Sequence, residues 1–243
     1  MKKIFLITAI LICFGLIYSQ NKLQDVINKT KKTITDNKPL TNTEVVKGLK
    51  EALNVGTNNS TKKVSAVDGY FKNQAIKIIL PPDAVKMEKT LRGMGMGQQV
   101  DKCVLTLNRA AEEAAKQAAP IFLNAITQLT ITDGMNILKG KDNAATQYLK
   151  DKTTNDLKIK FKPVIHNALQ KVEITKYWNP LMTKYNKLPM VQKINPNLDD
   201  YVTVKALDGL FKMLEGEELK IRKDPAARIS DILKRVFGSL DKK

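Results

Sequence analysis

The chain has 243 residues, with 41 Lys and Arg against 24 Asp and Glu, a net charge of +17, one His and two Cys. At 43% hydrophobic residues it can bury one good core, which excludes a wholly disordered chain. So few cysteines and histidines exclude a disulfide-dense scaffold, a four-thiolate zinc site and a multi-histidine metal centre.

Met1-Lys2-Lys3, an apolar run from Ile4 to Ile17 and then Tyr18-Ser19-Gln20 make the three-part pattern of a secretory signal peptide. The run is too short to span a hydrocarbon core comfortably. Residues 1–19 are therefore expected to be cleaved after Ser19, and the protein to be exported, periplasmic or secreted. A lipoprotein reading through Cys13 is disfavoured, because Ile12 stands where a small residue is needed. No other stretch is apolar enough to span a membrane. Residues 20–42 read as a flexible Lys/Thr-rich arm.

Thr41 and Glu44 have capping-box spacing before a helix carrying Val45, Val46, Leu49, Ala52, Leu53 and Val55. Gly56 is expected to end it, with polar Thr57 to Lys63 as loop. Asp68-Gly69 marks a turn. Ala75 to Leu80 is β-branched and stops at Pro81-Pro82, so it reads as extended or as one short strand. A helix from Asp83 to about Arg92 is broken by Gly93-Met94-Gly95-Met96-Gly97. That loop lacks the Lys-Ser/Thr ending of a phosphate loop and reads as a turn, with ligand contact as the alternative.

The clearest pattern lies over Gln98–Ala119. Val100, Cys103, Val104, Leu107, Ala111, Ala114 and Ala118 share one helical face, which places Cys103 in the core as an inert thiol. Arg109/Glu113 and Glu112/Lys116 are four apart on the other face. Pro120 kinks or restarts the helix. Thr132-Asp133 can cap a short helix ending near Lys139-Gly140. A Lys-rich helical stretch follows, carrying Leu157, Phe161, Val164, Ile165 and Leu169, with His166 as a surface residue. Trp178-Asn179-Pro180 and Leu188-Pro189 punctuate the chain. Asn195-Pro196-Asn197 opens a long helix with Tyr201, Val204, Leu207, Leu210, Phe211 and Leu214 on its apolar side. Asp199 and Asp200 sit in its first turn, where carboxylates complement the helix dipole, with an acid/base or cation site as the alternative. Asp224-Pro225 is a cap, and a last helix turns Ile229, Ile232, Leu233, Val236, Phe237 and Leu240 inward with Asp231/Arg235 paired outside.

The fold class that follows is all-α: a single multi-helix domain over 43–240 with seven to nine helices, and one strand or extended segment near 75–80. Charge is uneven. Residues 139–193 carry 12 basic and 4 acidic side chains, whereas 81–138 carry 6 of each. Only five of the basic residues are Arg, and Lys-rich stretches without interleaved aromatics disfavour nucleic acid as partner.

Several segments resemble one family. They are Asp68-Gly69-Tyr70-Phe71, Leu80-Pro81, Leu91-Arg92 before the Gly-Met-Gly loop, and Asn108-Arg109-Ala110-Ala111-Glu112. Ala144-Ala145-Thr146 with Tyr148, Asn197 to Thr203, and Ile221-Arg222-Lys223-Asp224-Pro225 complete the set. Together they resemble the bacterial exported family called domain of unknown function 4197, over about residues 44–240. The resemblance implies a mostly helical exported domain and carries no activity.

The functional expectation is a non-enzymatic binding or structural protein of the cell envelope, with an envelope protein, lipid or anionic polymer as partner. One alternative is peripheral association with an anionic membrane surface through the Lys-rich stretches. Another is an enzyme with a carboxylate/Arg site assembled between helices. Candidate ligand-binding residues are Arg92, Asn108, Arg109, Glu112, Asp199, Asp200 and Arg222, with Asp133 added under the enzyme reading. No catalytic residue, metal or cofactor is assigned.

Overall fold

The computed structural model describes residues 39–171, 178, 182–191 and 198–241. Residues 1–19, read as a signal peptide, nearly all of the arm, Asn179-Pro180 and Asn195-Pro196-Asn197 lie outside the described residues. The chain divides into Met1–Thr41 and Asn42–Lys243, and every helix below belongs to the second part.

That part is all-helical, with no strand among the described residues. Its helices are α1 (Asn42–Ser65), α2 (Val85–Gly93), α3 (Gly97–Ala115), α4 (Ala118–Thr127), α5 (Ile131–Lys139), α6 (Ala144–Lys171), α7 (Asp199–Lys223) and α8 (Asp231–Gly238). Residues 182–186 are also helical, and 3-10 turns at Pro82–Ala84 and Pro225–Ala227 lead into α2 and out of α7. α6 packs on α3, α4 and α7, and α1 packs on α7, α5, α4 and α8. α6 and α7 run antiparallel: His166 meets Asp199 at one end, and Ala145 and Thr146 meet Glu218 at the other. The core between them holds Leu149, Leu157, Phe161, Ile165, Leu207, Leu210 and Phe211. Phe122 of α4 meets Phe211 edge to face at 6.0 Å, a favoured aromatic geometry.

Several expectations are corrected. Gly56 does not end the first helix, which runs on to Ser65 and makes Thr57–Lys63 helical. Gly56 is buried against α7, and a Cβ there would lie 3.3 Å from a Leu214 methyl. The glycine permits close helix approach instead of a left-handed cap. The segment near 75–80 is a turn at 74–76 followed by irregular backbone, not a strand. α3 stops at Ala115, earlier than Ala119, and the chain restarts at Ala118. Pro120 has no N–H to donate and its ring excludes the carbonyl of residue 116, so the break falls one turn before it. The cap of α5 is Thr130, not Thr132: its hydroxyl accepts from the Asp133 N–H, and the Asp133 carboxylate accepts from the Thr130 N–H.

The surface pairing differs too. Glu112 is buried, not outward-facing. Arg109 pairs with Glu112 and Lys116 with Glu113, three residues apart and not four. Arg235 reaches Glu44 on α1 at 2.7 Å instead of pairing with Asp231. Val204 and Ile229 are exposed. Cys103 is fully buried, and burial pushes its thiol up to about 12, which suppresses the nucleophilic thiolate.

Candidate functional site

The predicted residues fall in five separate places, and two of these are buried braces of the backbone. Asn108 of α3 is fully buried. Its Oδ1 accepts from the Ile78 N–H (2.9 Å) and its Nδ2 donates to the Ile78 carbonyl (2.7 Å). One side-chain amide thus pairs irregular backbone as a neighbouring strand would. One turn on, Glu112 accepts from the N–H groups of Tyr70 and Phe71 (3.1 and 3.2 Å) and from Arg109 (2.6 Å). Arg109 also reaches Asp68 at 2.6 Å. The side-chain hydrogen bonds of Lys72 and Arg109 hold the Asp68 carboxyl below its ordinary value. Asp68 itself has φ +69°, a left-handed turn position that Asp tolerates. Tyr70 donates to the Ala206 carbonyl at 2.6 Å, and burial pushes its hydroxyl up, so it stays protonated.

The second brace is buried between α5, α6 and α7. Glu218 accepts from the Ala145 N–H (2.9 Å) and from the Thr146 N–H and hydroxyl (2.7 and 2.8 Å). These are orphan donors of the first turn of α6. Arg222 donates to Glu218 (2.9 Å), to the Ile137 carbonyl (2.8 Å) and to the Leu138 carbonyl (3.4 Å) at the end of α5. One ion pair therefore caps two helices with the polarity their dipoles favour: anion at an N-terminus, cation at a C-terminus.

Arg92 bridges Glu88 (2.9 Å) and Asp101 (2.7 Å) at the corner where α2 turns into α3. The intervening Gly95 has φ +78°, and nothing lies within 4 Å of where a Cβ would sit on Gly93 or Gly95. The loop serves as a turn. Asp133 belongs to the cap of α5, where its hydrogen bonds from Thr130 hold its carboxyl below its ordinary value.

Asp199 and Asp200 have a different setting. They face α6 across an open groove of about 700 Å³, lined on α6 by Lys158, Ile159, Lys162, Pro163, His166 and Asn167, and on α7 by these two aspartates, Thr203 and Val204. Asp199 accepts from His166 Nδ1 at 2.7 Å, and Asp200 meets Lys162 Nζ at 2.7 Å. Asp200, Lys162 and His166 are each at least half exposed. Ile159 and Val204 leave apolar surface in water at the same place. A second groove of about 480 Å³, containing Arg109 and Glu112, lies on the other side of Asn167, which lines both. Arg109 and Asp199 thus line adjacent grooves and not a common one, and the Gly93–Gly97 loop lines neither.

Lys162 was not singled out from sequence, and His166 was read only as a surface residue. The signal available was spacing: Lys158, Lys162 and His166 recur every fourth residue and so share one stripe of α6. Their acidic partners lie more than thirty residues away, and no local pattern connects them.

Among the described residues no group of His, Cys, Asp and Glu could hold a metal ion, and no helix is long and apolar enough to cross a membrane. A family model described as "Protein of unknown function (DUF4197)" matches residues 39–238. No curated protein and no solved structure matches the chain. Four of the seven segments that carry the resemblance map onto the braces, and the segment from Asn197 to Thr203 supplies Asp199, Asp200 and Thr203 to the groove. Asp68–Phe71 and Asn108–Glu112 are two halves of one, and Ala144–Thr146 and Ile221–Pro225 contribute to the other.

Proposed function

The chain belongs to the DUF4197 family of proteins of unknown function, and on that premise we propose that it is an exported, non-enzymatic binding protein whose ligand occupies the α6–α7 groove. Export follows from the charge and hydropathy pattern of residues 1–20. The observation that carries the binding reading is a division of labour among polar groups. Asn108, Glu112, Glu218 and Arg222 are buried and spend their hydrogen bonds on backbone groups. The groove instead presents exposed charges, whose pairs open at little cost, beside exposed Ile159 and Val204. Its volume lies within the range of about 300–1,000 Å³ common to small-molecule sites.

A second reading rests on His166. With Nδ1 donating to Asp199, the ring is oriented and Nε2 is left as a base for proton transfer. One experiment separates the two readings. The chain from residue 20 onward is incubated with a small-molecule mixture, bound compounds are recovered, and their contact is mapped by backbone NMR. Ligand recovered chemically unchanged, with shifts at 158–167 and 199–204, supports binding. Conversion that His166→Ala abolishes would replace it with the enzyme reading.

A further inference from the structure

The groove is charged unevenly along its length. The stripe Lys158, Lys162 and His166 on α6 meets α7 running antiparallel. Asp199 answers His166 and Asp200 answers Lys162, each at 2.7 Å. At the next turn α7 offers Thr203 and Val204, so among the groove's lining residues no carboxylate stands opposite Lys158. The Thr203 hydroxyl is committed to the Asp199 carbonyl at 2.7 Å. His166 and Lys162 each have a carboxylate partner, and Lys158 has none in the groove. Ile159 is 67% exposed and Val204 45%, on the two walls beside the unanswered lysine.

We propose, resting on the reading of this groove as a binding site, that it takes an anionic single-chain amphiphile, with a carboxylate or phosphate head on Lys158 and an apolar tail along Ile159, Pro163 and Val204. An anion there gives Lys158 a partner and offsets the repulsion between Lys158 and Lys162 four residues apart. The tail removes the exposed apolar side chains from water. A lysine ammonium is a compact charge without the planar fork of Arg, so it accepts either head group. The stripe from 158 to 166 is about 12 Å long at 1.5 Å per residue, which suits one extended chain and not a bilayer face.

The test titrates the chain from residue 20 onward, followed by backbone NMR, with decanoate and decyl phosphate below their micelle concentrations. Decanol, acetate, inorganic phosphate and phosphatidylglycerol vesicles are the other arms. The two anionic amphiphiles are expected to shift residues 158–167 and 199–204. Lys158→Gln should weaken them about fivefold, the scale of one exposed ion pair. Val204→Glu supplies the missing carboxylate from within and should abolish their binding. Both positions are exposed, so unchanged helical content and Tm verify the fold. If decanol binds as well as decanoate, if inorganic phosphate equals decyl phosphate, or if Lys158→Gln is without effect, the amphiphile assignment falls while the groove remains a binding site. Shifts produced by vesicles alone would replace the single amphiphile with a membrane surface. Titrations in which no arm moves the groove residues overturn the assignment and the binding reading together.

Discussion

Glu218–Arg222, within α7, and Asp200–Lys162, between α7 and α6, are both carboxylate–cation contacts, at 2.9 and 2.7 Å. Their surroundings separate them. Glu218 and Arg222 side chains are 7% and 3% exposed, whereas Asp200 and Lys162 are 71% and 52% exposed. The buried pair is also wired into the backbone, to Ala145, Thr146, Ile137 and Leu138. The surface pair holds only its own two ends together. Distance alone does not distinguish a brace from a site: desolvation and the number of dependent backbone groups do.

The largest effect should come from breaking the buried pair. Arg222→Ala leaves Glu218 uncompensated in the interior and should cost about 3–5 kcal/mol, a fall in Tm on the order of ten degrees in a thermal melt. Replacing Glu218 and Arg222 together by Met should not restore stability. The N–H groups of Ala145 and Thr146 and the carbonyls of Ile137 and Leu138 would then lack their caps. Recovery to wild-type Tm in the double variant would show that the pair acts only on itself.

Asn108→Leu tests whether the same logic holds without charge. It keeps the volume but leaves the Ile78 N–H and carbonyl unpaired, at about 1–3 kcal/mol by urea denaturation. An unchanged midpoint would break the claim that backbone service defines the braces.

An intermediate case sits between α1 and α7. Burial works against ionisation of Glu217, but Lys63 (2.7 Å), Lys220 (3.0 Å) and Asn59 (3.0 Å) prevail and hold its carboxyl at about 2. A depressed carboxyl contributes stability that is complete above its unfolded value near 4.5 and is lost as pH falls through about 2. Glu217→Gln should therefore lower stability at neutral pH and flatten its decline between those two values, read by denaturation across that range.

The smallest effect belongs to the groove. Asp200→Asn should shift stability by no more than about 1 kcal/mol, a change in Tm of at most roughly 4 °C, and raised salt should reduce the difference. A loss as large as that of Arg222→Ala would place Asp200 among the braces and remove the groove's claim to be adaptable.

Much of this was legible from sequence. The helical stripe of Val100, Cys103, Leu107, Ala111 and Ala114 gave both α3 and the burial of Cys103. Asp224-Pro225 gave the cap and first-turn proline of the 3-10 turn after α7, although Ser230 caps the last helix, and the Gly-Met-Gly loop turned α2 into α3. Gly56 misled because its use is a close contact with Leu214, a residue far along the chain. Glu112 looked like a surface partner of Lys116, yet it is tied to Arg109 and to backbone N–H groups at residues 70 and 71.

The sequence by itself determined an all-helical domain, its family and part of the list of polar residues worth attention. Only the tertiary structure decided which of them brace the fold and which face water. Periodicity reports the face a side chain occupies on its own helix. The partner that satisfies or strands its charge comes from another helix, 72 residues away for Thr146 and Glu218 and 33 for His166 and Asp199.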